Sequence, residues 1–197
     1  MEKGRLEAFS DGVIAIIITI MVISFKVPNN ASIASLTSII PAFISYSLSF
    51  TYVGIYWNNH HHMLQAVTSV NGAVLWANLV LLFWLSMIPF VTEWMGSNHF
   101  GKWPVICYGI VLLINAIAYA ILVRALIRHH GKGSLLGRAF GADLKGKTTV
   151  GLYVVGIALC FISPWLGFVL YTVIAAIWFI PDKRIENEIF NKAETIT

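Results

Sequence analysis

Residues 5–26 read RLEAFSDGVIAIIITIMVISFK: an arginine, a Ser10-Asp11 pair, then 14 uncharged and mostly branched residues before Lys26. About 20 apolar residues in a helix suffice to cross the hydrocarbon of a bilayer. The stretch therefore predicts a membrane helix over 6–26. The rest of the chain has the same character. Of 197 residues, 58% are hydrophobic and 11% charged, with a mean hydropathy of +0.78, whereas a soluble domain carries about 25% charge. That balance excludes a soluble domain and predicts an integral membrane protein.

Between Lys26 and Glu93 stand 66 consecutive residues without Asp, Glu, Lys or Arg, too many for one span and enough for two. The break is expected near Asn58-Asn59-His60-His61-His62. Lys102 and Arg124 bracket 21 more uncharged residues, and Thr148 to Pro181 supplies a further 34, interrupted by Ser163-Pro164. Proline disfavours helix in the residue before it, so this interruption reads as a tight hairpin between two short helices. The expectation is one all-α, polytopic membrane domain over 1–197, with six transmembrane helices near 6–26, 35–57, 68–93, 103–124, 148–163 and 165–181.

Loop charges orient these spans. With the N-terminus inside, Lys3, Arg5, Arg124, Arg128, Lys132, Arg138, Lys145, Lys147, Lys183, Arg184 and Lys192 fall on the cytoplasmic side, and only Lys26 and Lys102 fall outside. Eleven against two is a positive-inside bias, so both termini are expected in the cytoplasm. The same distribution accounts for the net charge of +4 without a nucleic-acid partner. Trp57, Trp94, Trp103, Trp165 and Trp178 lie near expected helix ends, where an aromatic belt would put them; Trp76 and Trp84 are expected to pack between helices. Cys107 and Cys160 sit in apolar stretches, poorly placed for an extracellular disulfide. Lys3 and Arg5 ahead of an apolar run also fit a secretory signal. Glu2, Glu7, Asp11 and the lack of a small-x-small site after the run favour a retained helix. The opening motif has no internal repeat, so a symmetric assembly needs several copies of the chain.

Some motifs imitate other chemistry. GADLKGKT at 141–148 matches G-x-x-x-x-G-K-[ST], but that phosphate cradle requires a preceding strand and an α/β core. Here it reads as a solvated, glycine-rich loop. TYVGIYW at 51–57 resembles the T-V-G-Y-G carbonyl filter, yet it continues a helical run. His60, His61 and His62 suggest a metal or a proton path. Consecutive helical residues point about 100° apart and cannot converge on one ion from a regular helix. They are expected to cap the second helix, with one imidazole bonded to a neighbouring helix. The Asn30-Ala31-Ser32 sequon lies in an expected outer loop. With no Ser/His/Asp set, carboxylate pair or Cys/His zinc spacing in the sequence, neither an enzyme nor a resident metal or cofactor is expected.

Asp11 is the most costly residue in the chain, because a carboxylate at mid-helix costs about 2.5–3.5 kcal/mol on translocon scales unless it is paired or wetted. Arg5, six residues earlier, lies about 240° round the helix and cannot pair with it. Its partners should come from other helices. Arg5, Ser10 and Asp11 are thus read as the inner-end anchor of an inter-helix polar network, with Asn58, His60, His61 and His62 as candidate partners. Gly12, Ile16, Thr19 and Ile23, at i, i+4, i+7 and i+11, share one helix face. If first helices from several copies gathered round an axis, that face would line a narrow path, with two isoleucine rings and a threonine layer between them. Isoleucine is stiff at χ1, and such rings gate by dewetting. Ordinary packing against lipid or core is the other reading of the same face.

The run Arg5-Leu6-Glu7-Ala8-Phe9-Ser10-Asp11, opening an isoleucine-rich helix, resembles the endosomal and lysosomal potassium channel family known as transmembrane protein 175, in its single-repeat prokaryotic form. The likeness extends to YWNNHHH at 56–62, FWLSMIPF at 83–90 and the terminal hairpin ISPWLGF…IPDKRIE. It implies a homotetramer of six-helix subunits in a bacterial plasma membrane, with the first helix lining a central pore that conducts potassium without a carbonyl filter. By the family pattern Ile16 is the hydrophobic constriction, Thr19 a selectivity layer and Ile23 a second candidate constriction. Potassium is then the permeant species and no cofactor is involved. A proton-linked secondary transporter and a non-conducting scaffold are the alternatives. Against the transporter, the sequence shows no paired broken helices of the kind that mark midplane sites.

Overall fold

A computed structural model of the chain describes residues 3–28, 30–140 and 143–179. Helix α1 (Gly4–Ile23) is followed by a short α2 (Ile33–Leu36) that passes through a 3-10 turn, Thr37–Ile39, into α3 (Ile40–Gln65). Then come α4 (Gly72–Leu85), α5 (Ile88–Ser97), α6 (Lys102–His130), a short α7 (Leu135–Phe140), α8 (Leu144–Leu159) and α9 (Pro164–Phe179). Among the described residues, four stretches are long and apolar enough to cross a membrane: Gly4–Ile23, Thr37–Gln65, Gly72–Ser97 and Lys102–His130. Helix α8 has 16 residues and reaches about 24 Å, short of the roughly 30 Å hydrocarbon layer, and α9 is described over 16 residues as far as Phe179. They pack on each other as the expected hairpin around Ser163-Pro164. Lys183, Arg184, Lys192 and the IPDKRIE segment lie outside the described residues.

Local chemistry moves several boundaries. The break expected near 58–62 does not occur, and α3 continues to Gln65. No glycine or proline interrupts 58–65, and Asn59 Nδ2 bonds back to the Ile55 carbonyl at 2.8 Å. The chain turns instead at Asn71, whose side chain accepts from the Val74 amide and caps α4. The single helix expected over 68–93 is divided at Ser86-Met87 into α4 and α5. Pro89 cannot donate to the carbonyl four residues back and crowds it. The neighbouring Trp84 carbonyl accepts from the Met87 amide at 3.2 Å and from Asn115 Nδ2 of α6 at 3.1 Å. Helix α6 runs past Arg124 to His130 and stops at Gly131, whose φ of 87° suits glycine. Helix α8 begins before 148 because Asp143 caps it, accepting from the Gly146 amide at 2.9 Å.

Helices α3 to α6, α8 and α9 form the packed body, and α1 lies at its edge against α3, α4 and α5. Hydroxyls tie the body together: Ser49 Oγ meets Thr92 Oγ1 at 2.6 Å and Tyr108 Oη at 3.0 Å, joining α3, α5 and α6. Tyr52 Oη donates to the Tyr171 carbonyl at 2.6 Å, joining α3 and α9. Such inter-helix bonds are worth about 0.6 kcal/mol each on average in a membrane. Trp76 departs from expectation: it is 72% exposed on α4 rather than packed between helices of the chain.

A candidate ion-path face on the first helix

Helix α1 divides its residues between two faces. Ser10, Ile14, Ile17 and Met21 are buried against the body. Gly12, Ile16, Thr19 and Ile23 follow the same spacing two residues later and are all exposed, Ile16 at 58% and Ile23 at 73% against 2% for Ile14 and Ile17. A two-residue offset is about 200° on an α-helix, so the second face points directly away from its own subunit. Thr19 Oγ1 donates to the Ala15 carbonyl at 2.9 Å, which commits its proton to the backbone and leaves its lone pairs as acceptors.

At its N-terminal end α1 is held by polar contacts. Glu7 and Asp11 are one turn apart, as are Trp57 and His61 on α3. Trp57 Nε1 donates to Asp11 Oδ1 at 3.0 Å, and His61 Nδ1 lies 3.4 Å from Glu7 Oε1. The indole and the imidazole stack, with centroids 5.9 Å apart. Beside them runs a buried chain of hydrogen bonds: His60 Nε2 donates to Asn78 Oδ1 at 2.7 Å, Asn78 Nδ2 to Ser10 Oγ at 2.9 Å, and Ser10 Oγ to the Leu6 carbonyl at 2.8 Å. Lys3 Nζ adds a bond to the Leu64 carbonyl at 2.8 Å.

Of the residues singled out in the sequence, Ser10, Asp11, His60 and His61 meet across α1, α3 and α4. The carboxylate of Asp11 takes its hydrogen bond from Trp57, not from an imidazole or Asn58. Asn58 is half-buried on α3, and His62 touches His61 edge to face. Arg5 and Phe9 are exposed, and among the described residues Arg5 has no ion pair. Asn78 and Trp57 were not anticipated as partners. Asn78 had a signal, as the one amide inside the apolar run of α4.

The arrangement is that of an all-helical integral membrane protein whose edge helix presents an uncovered isoleucine and threonine face. The family model for the endosomal/lysosomal potassium channel TMEM175 matches residues 5–89. A potassium channel of Chryseobacterium sp. (strain P1-3) is 55% identical over 189 residues, 96% of this chain and 98% of that one. The crystal structure of a lysosomal potassium-selective channel TMEM175 homolog from Chamaesiphon minutus superposes with a TM-score of 0.79 at 30% identity, covering 91% of this chain and 97% of that one. The human relative, named an endosomal/lysosomal proton channel, is 31% identical over 53% of this chain, which spans 23% of its length. The chain belongs to the TMEM175 family, whose named members are ion channels rather than enzymes.

Proposed function

We propose that this protein is a potassium channel of a bacterial plasma membrane, built from four copies of the chain, each with six spans and both termini in the cytoplasm, the short α8 crossing where the bilayer thins around it. The Gly12, Ile16, Thr19 and Ile23 faces of four α1 helices turn inward to line the pore. Ile16 forms the hydrophobic constriction, Thr19 the hydroxyl layer that favours potassium, and Ile23 a second narrow level. The polar contacts of Ser10 and Asp11 hold each α1 at a fixed rotation about its own axis. The observation that carries the reading is the exposure of this face on the side of α1 opposite the buried one. The potassium channels of Chryseobacterium and Chamaesiphon support the choice of ion.

The chemistry follows from the side chains. A ring of stiff isoleucines forces an ion to shed part of its water, and an apolar constriction passes ions only when wet. Thr19 oxygens, with their protons engaged by Ala15, offer lone pairs to a partly dehydrated cation. In liposomes loaded with potassium, Ile16→Asn is expected to raise efflux by wetting the constriction, and Thr19→Val to bring potassium and sodium fluxes closer together. Unchanged flux and selectivity in both variants overturn the assignment. A pH dye in the same vesicles separates a proton path, since acidification without potassium efflux also overturns it.

A further inference from the structure

We propose that a cavity at the α1 N-terminal end of the bundle binds an anionic phospholipid, its phosphate against three cations and an acyl chain along the apolar and aromatic walls. The cavity, about 520 Å³, opens between the later turns of α3 and α6, the start of α8 and the end of α9. That volume is in the range of ligand sites, about 300–1,000 Å³. Its walls carry Ile55, Val123 and Val150 together with the rings of Tyr52, Tyr56 and Tyr153, and the Tyr52 hydroxyl is engaged by the Tyr171 carbonyl. Arg124, Lys132 and Lys147 also line it, against one carboxylate, Asp143. Asp143 is engaged in capping α8 through the Gly146 amide. The three cations are exposed, and among the described residues none is in an ion pair.

Two contacts tie α8 to α9 along one wall of the cavity. Trp178 Nε1 donates to Thr149 Oγ1 at 2.9 Å, and the Lys145 ammonium sits 4.4 Å from the Trp178 ring centroid. Lys3, on the predicted cytoplasmic side, bonds the Leu64 carbonyl at the end of α3, which places the cavity at that side too. Basic pockets between helices at the cytoplasmic face attract anionic head groups. The pairing of charge with apolar and aromatic walls selects an amphiphile: free phosphate would leave those walls uncovered, and a zwitterionic lipid would bring its own cation to three others. Asp143, Gly146 and Lys147 belong to the GADLKGKT match. Its lysine thus serves a phosphate site on a helical bundle, not a nucleotide loop. The site is separate from the exposed face of α1, so its test does not depend on conduction.

The experiment is native mass spectrometry of the purified protein with phosphatidylglycerol, with phosphatidylcholine, and with millimolar inorganic phosphate as competitor. Phosphatidylglycerol is expected to be retained over phosphatidylcholine, and to fall by at least about fivefold in Lys132→Gln/Lys147→Gln. Ala120→Phe adds bulk to the cavity lining and leaves the cations in place, and should lose the lipid as well. Both variants are read only as species that elute like the wild type in gel filtration. Equal retention of the two lipids, or retention unchanged in either variant, overturns the proposal. Displacement of the lipid by inorganic phosphate identifies a soluble-phosphate site and overturns it equally.

Discussion

Asn78 makes two buried side-chain bonds at once. Its amide oxygen accepts from His60 and its amide nitrogen donates to Ser10. Asn78→Leu removes both at once and leaves a buried imidazole donor unpaired, at about 1–3 kcal/mol. We expect a clear fall in the melting temperature of the detergent-purified protein, followed by intrinsic fluorescence. Trp57→Phe keeps the ring stacked on His61 but deprives Asp11 of its donor, and should lower the melting temperature by a smaller amount. The sequence already pointed to Ser10, Asp11 and the histidines, because polar groups in an apolar run must find partners. It could not choose among those partners. Trp57 sits 46 residues from Asp11, and its indole read equally well as a membrane-interface anchor. Nothing local distinguishes a tryptophan at a lipid boundary from one bonded to a carboxylate.

At the scale of elements, the helices were legible from their apolar runs, and their ends were not. The third span shows why. Pro89 was in plain view, but a proline can merely bend a helix. What accompanies the division is Asn115, which holds the Trp84 carbonyl from 31 residues away, beyond the reach of any local rule. The α8–α9 hairpin was foreseen from Ser163-Pro164, while its tightness comes from small residues. A Cβ on Gly167 would collide with Cys160 Sγ and stand 2.9 Å from the Gly156 carbonyl. Backbone cannot yield as a side-chain tip can, so Gly167→Ala should cost about 1–3 kcal/mol by overpacking. Thermal unfolding monitored by fluorescence-detected gel filtration would show it as a lowered midpoint.

The whole molecule has an uncovered side. The spacing of Gly12, Ile16, Thr19 and Ile23 was readable from the sequence, but whether that face turned toward its own subunit or away from it was not. The answer depends on what Ile14 and Ile17 pack against, and that information is spread over α3, α4 and α5. In the proposed tetramer the face meets its copies. With Cys107→Ser and Cys160→Ala as background, Ile23→Cys should give oxidative cross-linked dimers on denaturing gels. Ile14→Cys, buried on the opposite face, should give none. Cross-linking that is equal in the two variants contradicts the arrangement. A monomer in detergent contradicts it as well, since a lone α1 encloses nothing.

Thr19 has one consequence for what the proposed pore refuses. Because its hydroxyl hydrogen is held by Ala15, the ring of four presents oxygens without free protons. Chloride arriving there would find no hydrogen to solvate it, and isoleucine on either side offers none. Anions are thus turned back by the orientation of a dipole, with no fixed charge at that level of the pore.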